Sequence, residues 1–242
     1  MSTQQLLLGT ICAFAAAGLG GVVGFGFALV STPLFLLLGI PLPTAVVINL
    51  LLGASTRLSV ALRFVRAVEV PRVMTLLVGY VPGMVIGWLV LEVLPSENLR
   101  RMIGVLVLGA ALVLAVTPAS DRQFGIGSTA GVGTASGVMG MVASLNGIPP
   151  ALMFAREGLG TIATLANLSS YFVVSNTVTA VVVTFTQEVV PRTVLIATAC
   201  WLPAALVASY LATNFAQGMR VELFKMVVVA VIAVGGISVL LT

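Results

Sequence analysis

Histidine is absent from this sequence, and charged residues make up only 7% of its 242 positions. The lack of histidine removes the side chain that most often relays protons or acts as a general base near neutral pH. The two cysteines, Cys12 and Cys200, lie in apolar segments, where we expect them to pack as small residues and to form neither a disulfide nor a metal site. Soluble globular domains carry about 25% charged residues, so the shortage of charge excludes that class.

The sequence consists mainly of long apolar runs. Hydrophobic residues make up 60% of the chain, and its mean hydropathy is +1.20. Several runs reach the roughly 20 residues that a helix needs to cross a bilayer core, while the alternation of a membrane β-barrel strand is missing. The N-terminus lacks the basic flank of a cleaved signal peptide, so we expect a retained first helix. The sequence predicts an all-α, polytopic helical membrane protein whose net charge of +4 reflects loop topology, without a nucleic-acid partner.

One stretch occurs twice and interrupts the apolar sequence with glycine and proline. It covers residues 17–33 near the start and residues 137–150 in mid-chain. The positions that match, all at a shift of 116 residues, are Gly21 with Gly137, Gly24 with Gly140 and Pro33 with Pro149. In lipid, a freed backbone N–H or C=O is unfavourable unless it is buried in protein or faces a wet cavity. The repeated break therefore predicts a site where backbone dipoles meet a polar ligand.

The order of apolar segments is the same in both halves of the chain. The predicted segments are 5–23, 27–39, 43–62, 73–94 and 98–117, then 125–145, 148–155, 161–184, 190–213 and 221–242. Further matches support an internal duplication, namely Asn49 with Asn167, Pro71 with Pro191 and Pro82 with Pro203. We predict a first membrane repeat over 1–117, a linker over 118–124 and a second repeat over 125–242. The repeats form one integral domain with 8 to 10 membrane segments, and the second segment of each is short.

The number of crossings in each half decides whether the repeats are inverted or parallel. Basic residues prefer the cytoplasmic side of a membrane. If all five segments of a half cross, the repeats are inverted and the Lys and Arg residues divide 8 to 3 between the two sides. If the first two segments form one re-entrant unit, the repeats are parallel and the division is 6 to 5. The inverted arrangement fits better, and it predicts both termini on the extracytoplasmic side.

Polar residues beside the breaks and on the third helix of each half form the predicted substrate-binding site. Beside the breaks they are Gly24, Gly26, Ser31, Thr32, Gly140, Ser144, Asn146 and Gly147, and on the third helices they are Asn49, Arg57, Asn167, Ser170, Tyr171 and Ser175. Backbone N–H, hydroxyl and amide donors bind an oxyanion without holding it too tightly for release. The alternative is structural: the glycines allow close helix packing, and each asparagine hydrogen-bonds a neighbouring helix.

The charged residues give two further expectations. Arg57 either attracts anions at the mouth of the third helix or extends its long side chain to the membrane interface, and we favour the second role. The acidic residues all lie at segment ends or in loops. A proton-coupled carrier commonly keeps an ionisable group inside the membrane, and Glu157 is the best candidate that the sequence offers.

These motifs resemble those of the TauE/SafE sulfite-exporter family of anion permeases. The resemblance rests on the first break, Gly39-Ile40-Pro41, Ala45 and Asn49, and on Gly137, Gly140, Pro149-Pro150, Gly158 and Ala166-Asn167-Leu168-Ser169. Family members often carry three consecutive glycines where this chain has Gly24-Phe25-Gly26, and Val142-Ala143 replaces glycine in the second copy. The resemblance implies transport of sulfite or of organosulfonates, often outward, across a prokaryotic inner membrane.

Two kinds of function remain open from the sequence. The first is a multi-pass transporter in the cell inner membrane that exports sulfite or small organosulfonate anions by alternating access at the repeat interface. The second is an anion channel built from the same donors, or a carrier of other small organic anions. The expected partners are a small anion and the lipid bilayer, without a cofactor or metal. An enzyme is disfavoured because histidine, metal clusters and nucleophile motifs are missing from the sequence.

Overall fold

The computed structural model describes residues 1–93, 123–186 and 189–220, together with residues 223, 226, 227 and 230. All regular elements in these ranges are helical. The α-helices are α1 (Thr3–Val23), α2 (Phe27–Leu37), α3 (Leu42–Arg63), α4 (Val70–Val93), α5 (Ile126–Ala143), α6 (Ile148–Arg156), α7 (Thr161–Thr186) and α8 (Pro191–Gln217), and a 3-10 turn covers Val65–Ala67. The predicted segment 98–117 and nearly all of 221–242 lie outside the described residues.

Each predicted segment within the described ranges corresponds to one helix, and local signals set the ends. At the start of α1 the Ser2 side chain accepts from the Gln5 N–H while the Gln5 side chain accepts from the Ser2 N–H, which is a capping box. Five of the described helices are long and apolar enough to cross a membrane: Thr3–Val23, Pro43–Arg63, Val70–Val90, Thr161–Thr186 and Pro191–Gln217. The protein is therefore a multi-pass helical membrane protein. With 11 and 9 residues, α2 and α6 are the short segments that the sequence predicts.

The helices of the two halves are interleaved. Helix α1 packs along α8, and α4 packs along α5, so the first helix of each half lies against the fourth helix of the other half. Helices α3 and α7 pack against each other, and α2 and α6 each join the first and third helices of their own half. This arrangement brings the two breaks and the two third helices together.

Glycine allows α4 and α5 to approach closely. A Cβ atom built at Gly79 would lie 2.1 Å from the Ala130 carbonyl oxygen, and one at Gly137 would lie 2.2 Å from the Tyr80 carbonyl oxygen. Small residues at such crossings are typical of membrane helices. Gly137 therefore serves helix packing, which is the structural alternative that the sequence left open for the glycines.

The helix ends align the two halves of the chain at a different shift from the one that the matched glycines gave. The breaks follow Val23 and Ala143, which are 120 positions apart, and the prolines inside α4 and α8, Pro82 and Pro203, are 121 apart. The shift of 116 residues is therefore wrong at the breaks by about one helical turn. Residues one turn apart share a helix face, so small residues that recur along that face produced glycine matches one turn away from the register of the helix ends.

Candidate functional site

The first break contains two glycines in the left-handed conformation. Gly24 ends α1 with a φ of 83°, and Gly26 precedes α2 with a φ of 89°. A residue with a Cβ atom adopts this conformation only at a cost of about 1 kcal/mol or more, so glycine is required twice in three positions. The double reversal carries the chain around Phe25 and starts α2 beside α3.

The second break has one left-handed residue, and this residue is a serine. Ser144 ends α5 in the left-handed conformation with a φ of 56°, and its N–H donates to the Gly140 carbonyl oxygen at 2.9 Å. Among the described residues it is the one with positive φ that is not glycine. Its buried Oγ has no hydrogen-bond partner in the described part of the chain. Backbone strain and an unpaired hydroxyl at one residue are typical of a functional position.

The two breaks face each other across a cavity of about 50 Å³. One water molecule needs about 10 to 15 Å³ by this kind of measure, so the cavity has room for a ligand of several heavy atoms. The lining comes from both breaks and from both third helices: Phe25, Gly26, Phe27, Ala28, Ser144, Leu145, Asn146, Gly147 and Ile148 from the breaks, Asn49, Leu50, Gly53 and Arg57 from α3, and Phe172 and Asn176 from α7.

Arg57 brings a positive charge to this cavity. Its side chain is only 3% exposed, and its Nη1 has no hydrogen-bond partner among the described residues. Within those residues no carboxylate lies within 4.0 Å of it, since both ion pairs there belong to Arg72. The expectation that Arg57 extends to the membrane interface is therefore wrong. Gly20 leaves room for the guanidinium to point inward, because a Cβ atom at position 20 would lie 3.0 Å from the Arg57 Nη2.

Two asparagines hold their amide groups at the cavity wall through fixed hydrogen bonds. Asn49 Oδ1 accepts from the Ser31 hydroxyl at 2.7 Å, and Asn49 Nδ2 donates to the Thr32 Oγ1 at 2.9 Å. Asn146 Nδ2 donates to the Ser175 Oγ at 3.1 Å and to the Asn176 Oδ1 at 2.8 Å. The predicted residues Ser31, Thr32 and Ser175 thus orient the amides without lining the cavity themselves.

The remaining predicted residues lie away from the cavity lining. Gly24 and Gly140 belong to the helix ends, and the buried Tyr171 directs its hydroxyl to Ser136 at 2.5 Å. Ser170 is half-buried on α7 and is not among the lining residues. Tyr171 supports the site indirectly, because Ser136 donates to the carbonyl oxygen of the lining residue Asn146.

Asn167 does not occupy the position that corresponds to Asn49. Its Oδ1 accepts from the Glu69 N–H at 2.8 Å, which ties α7 to the turn before α4. Asn49 is the eighth residue of α3, whereas Asn167 is the seventh residue of α7. One residue along an α-helix turns a side chain by about 100°, so the two asparagines point to different neighbours.

The sequence prediction omitted Asn176 and three aromatic residues, Phe25, Phe27 and Phe172, from the lining. In the structure Arg57 and Asn176 are each the sixteenth residue of their helix, whereas the predicted segment starts at 43 and 161 align Asn176 with Leu58. Gly53 and Phe172 are each the twelfth. A Cβ atom at Gly53 would lie 2.9 Å from the Asn176 Nδ2, so glycine makes room for this amide.

Glu157, the acidic residue that the sequence suggested for proton coupling, lies outside the cavity lining. It is 6% exposed, and its Oε1 accepts from the Arg72 guanidinium and from the Phe124 N–H at 2.6 Å. Arg72 also pairs with Glu69 at 3.3 Å. These contacts of Glu157 and Arg72 connect the end of α6 with the start of α4 and the residues before α5. No three His, Cys, Asp or Glu side chains of the described ranges are grouped to hold a metal ion.

Comparison with models of known protein families gave a match. The model of the family described as "Sulfite exporter TauE/SafE" matches residues 9–239, which is nearly the whole chain. Neither the curated proteins nor the solved structures gave a match.

Proposed function

The chain belongs to the TauE/SafE sulfite exporter family, and from this membership and the cavity at Arg57 we propose how it handles its substrate. The family consists of membrane transporters of sulfite-type anions rather than enzymes. We place the anion between the two breaks, where Arg57 provides the charge and Asn49 and Ser144 provide hydrogen-bond donors, while Asn146 donates both of its N–H groups to Ser175 and Asn176. The transported anion is sulfite or a small organosulfonate, and the direction is outward across the cell inner membrane.

The burial of Arg57 is the observation that carries this proposal. Removing a cation from water without a partner is unfavourable by several kcal/mol, so a buried arginine is normally paired with an acid. In the described part of the chain the partner is missing, while the Nη1 of Arg57 and the Oγ of Ser144 are both left unbonded at the same cavity. An oxyanion accepts from both groups and neutralises the charge. Hydrogen bonds between charged partners are about twice as strong as neutral ones.

Alternating access at the interface of inverted repeats suits this location. Residues 24–28 and 144–148 correspond at a shift of 120, and most of them line the cavity. The pairs Arg57 with Asn176 and Gly53 with Phe172 line it as well. Sites near mid-membrane, lined by interrupted helices of both repeats, are the pattern of many secondary transporters. The matched lining supports the duplication that the sequence predicts, and the 8 to 3 division of basic residues favours its inverted form.

Contact between the breaks favours a carrier over a channel. A Cβ atom at Gly147 would lie 2.7 Å from the Phe25 Cβ and 2.8 Å from the Phe172 Cζ. This packing leaves no passage between these three residues. A carrier keeps such a closed point on one side of its substrate in every state, whereas a channel has one only while it is shut.

Sulfite uptake into proteoliposomes tests the function, and two asparagines provide a matched comparison. We expect the purified protein to transport sulfite in preference to a carboxylate such as acetate. Asn49→Ala should weaken sulfite affinity by about tenfold, because a hydrogen bond to a charged ligand is worth about 1.5 to 3 kcal/mol. Asn167→Ala should leave the affinity within about twofold, since its loss removes one interhelical contact worth about 0.6 kcal/mol on average. Equal affinity in both variants, or acetate transported as fast as sulfite, would contradict the proposed site.

Reporter fusions test the inverted arrangement. We expect reporters at the N-terminus and the C-terminus of the full chain to be extracytoplasmic, because this arrangement places 8 of the 11 basic residues on the cytoplasmic side. A third reporter in the 118–124 linker should be cytoplasmic. Cytoplasmic termini together with a cytoplasmic linker would restore the parallel arrangement.

A further inference from the structure

Among the described residues, Arg57 is the one charged residue that lines the cavity, and no carboxylate stands ready to take the place of its anion. Three acidic residues fall in the described ranges: Glu69, Glu92 and Glu157. Two of them pair with Arg72, and Glu92 is exposed near the end of α4. None lines the cavity. The described chain therefore offers Arg57 no carboxylate that takes the place of a departing anion.

The third helix of the second half, α7, adds no charge to the cavity lining. Asn176 occupies on α7 the place that Arg57 occupies on α3, and it presents a neutral amide. With a monovalent anion bound, the pair of ligand and Arg57 is neutral. Without the anion, the same interior holds one uncompensated positive charge.

This difference matters at the step where the cavity is closed to both sides of the membrane. Closing it around a neutral ion pair keeps the charge-assisted hydrogen bonds and seals no net charge. Closing it around the unpaired guanidinium seals a charge in a medium of low dielectric constant, which is strongly unfavourable. The loaded protein therefore reorients readily, and the unloaded protein reorients slowly.

We propose that the protein is an anion exchanger, in which Arg57 prevents return across the membrane until a second monovalent anion has bound. This inference rests on the proposed function, because it takes the transported anion to be the partner of Arg57. Outward movement of one sulfite-type anion is then coupled to inward movement of another small anion. The gradient of the second anion supplies the driving force, and no titrating side chain in the cavity is needed.

Efflux of labelled sulfite from proteoliposomes tests exchange directly. The full-length protein is reconstituted, and the membrane potential is held at zero with potassium and valinomycin, so that net anion movement is not opposed electrically. The medium is mildly acidic, because sulfite is then mainly monovalent. We expect unlabelled external sulfite to accelerate efflux by at least about tenfold, which corresponds to about 1.4 kcal/mol of barrier. Equal efflux with and without external sulfite would overturn exchange.

Substitutions at Arg57 identify the origin of the acceleration. Arg57→Lys keeps the charge and should keep the acceleration by external sulfite. In Arg57→Gln the remaining flux should be accelerated less than about twofold, because the unloaded cavity is then neutral. The barrier to reorientation of the unloaded protein should fall by at least about 1.4 kcal/mol, which corresponds to a tenfold rate. Arg63→Gln is the matched control on the same helix, since the exposed Arg63 lies over the Phe64 and Tyr210 rings, and it should behave as the wild type. Equal acceleration in Arg57→Gln and in the wild type would overturn the role of the charge.

Equilibrium binding separates this inference from the proposed function. If labelled sulfite binds the wild type and binds Arg57→Gln much more weakly, the anion site stands, and the efflux ratio alone decides whether the protein exchanges. If sulfite binds Arg57→Gln as tightly as the wild type, the proposed site is wrong and the exchange mechanism is overturned with it.

Discussion

Arg57→Gln is expected to weaken sulfite binding by about 10- to 100-fold while leaving the fold intact. The lost interactions are hydrogen bonds between charged groups, which are worth about 1.5 to 3 kcal/mol, and a factor of ten in affinity corresponds to about 1.4 kcal/mol. Glutamine is shorter than arginine but keeps a donor, so the substitution removes the charge without leaving an apolar gap. Binding of labelled sulfite to purified protein measures the effect.

The thermal stability of the same variant distinguishes a ligand-binding role from a structural one. A buried cation without a partner destabilises the folded protein, so its removal should leave the unfolding midpoint unchanged or raise it in the absence of sulfite. In saturating sulfite the order should reverse, because ligand binding stabilises the wild type more. A lowered midpoint without sulfite, together with unchanged sulfite affinity, would show that Arg57 serves the fold.

Gly137→Val is expected to abolish most of the folded protein, whereas Gly131→Val on the same helix is expected to be tolerated. At Gly137 a Cβ atom would lie 2.2 Å from the Tyr80 carbonyl oxygen and 2.7 Å from the Met84 nitrogen, whereas at Gly131 nothing lies within 4 Å. Overpacking typically destabilises by about 1 to 3 kcal/mol, and we expect the upper end because the obstacle is backbone of α4.

The yield of monodisperse protein after detergent extraction, together with the thermal unfolding midpoint, measures this difference. Both substitutions place the same side chain in the same helix, so helix propensity is matched and only the contact with α4 differs. Similar yields and midpoints for the two variants would contradict the close packing of α4 against α5.

The positions of the helices were predictable because the signals that end them are local. The segments predicted at 27–39 and 161–184 became Phe27–Leu37 and Thr161–Thr186. Clusters of glycine, proline and charge end these helices close to where they occur in the sequence, whereas single prolines such as Pro82 and Pro203 stay inside α4 and α8. The position of each break could likewise be anticipated to within a turn.

The composition of the cavity was less predictable because it depends on rotation about helix axes and on distant neighbours. An error of one residue in the alignment of α3 with α7 directed attention to Asn167 in place of Asn176. The direction of Arg57 depends on Gly20, which lies in another helix and leaves room for the guanidinium. Likewise, Glu157 accepts from Arg72, which is 85 positions away. No local pattern in the sequence contains such pairings.

The packing of α1 along α8 has a consequence for biosynthesis. Trp201 of α8 lies against Gly9, and its Nε1 donates to the Leu6 carbonyl oxygen at 2.9 Å, a pairing across 195 positions of sequence. At about 5 to 20 residues per second, the ribosome needs roughly 10 to 40 s to make the intervening chain. During that time the face of α1 that later receives α8 lacks this partner helix. A truncated product that stops before Trp201 therefore leaves that face of α1 uncovered by α8.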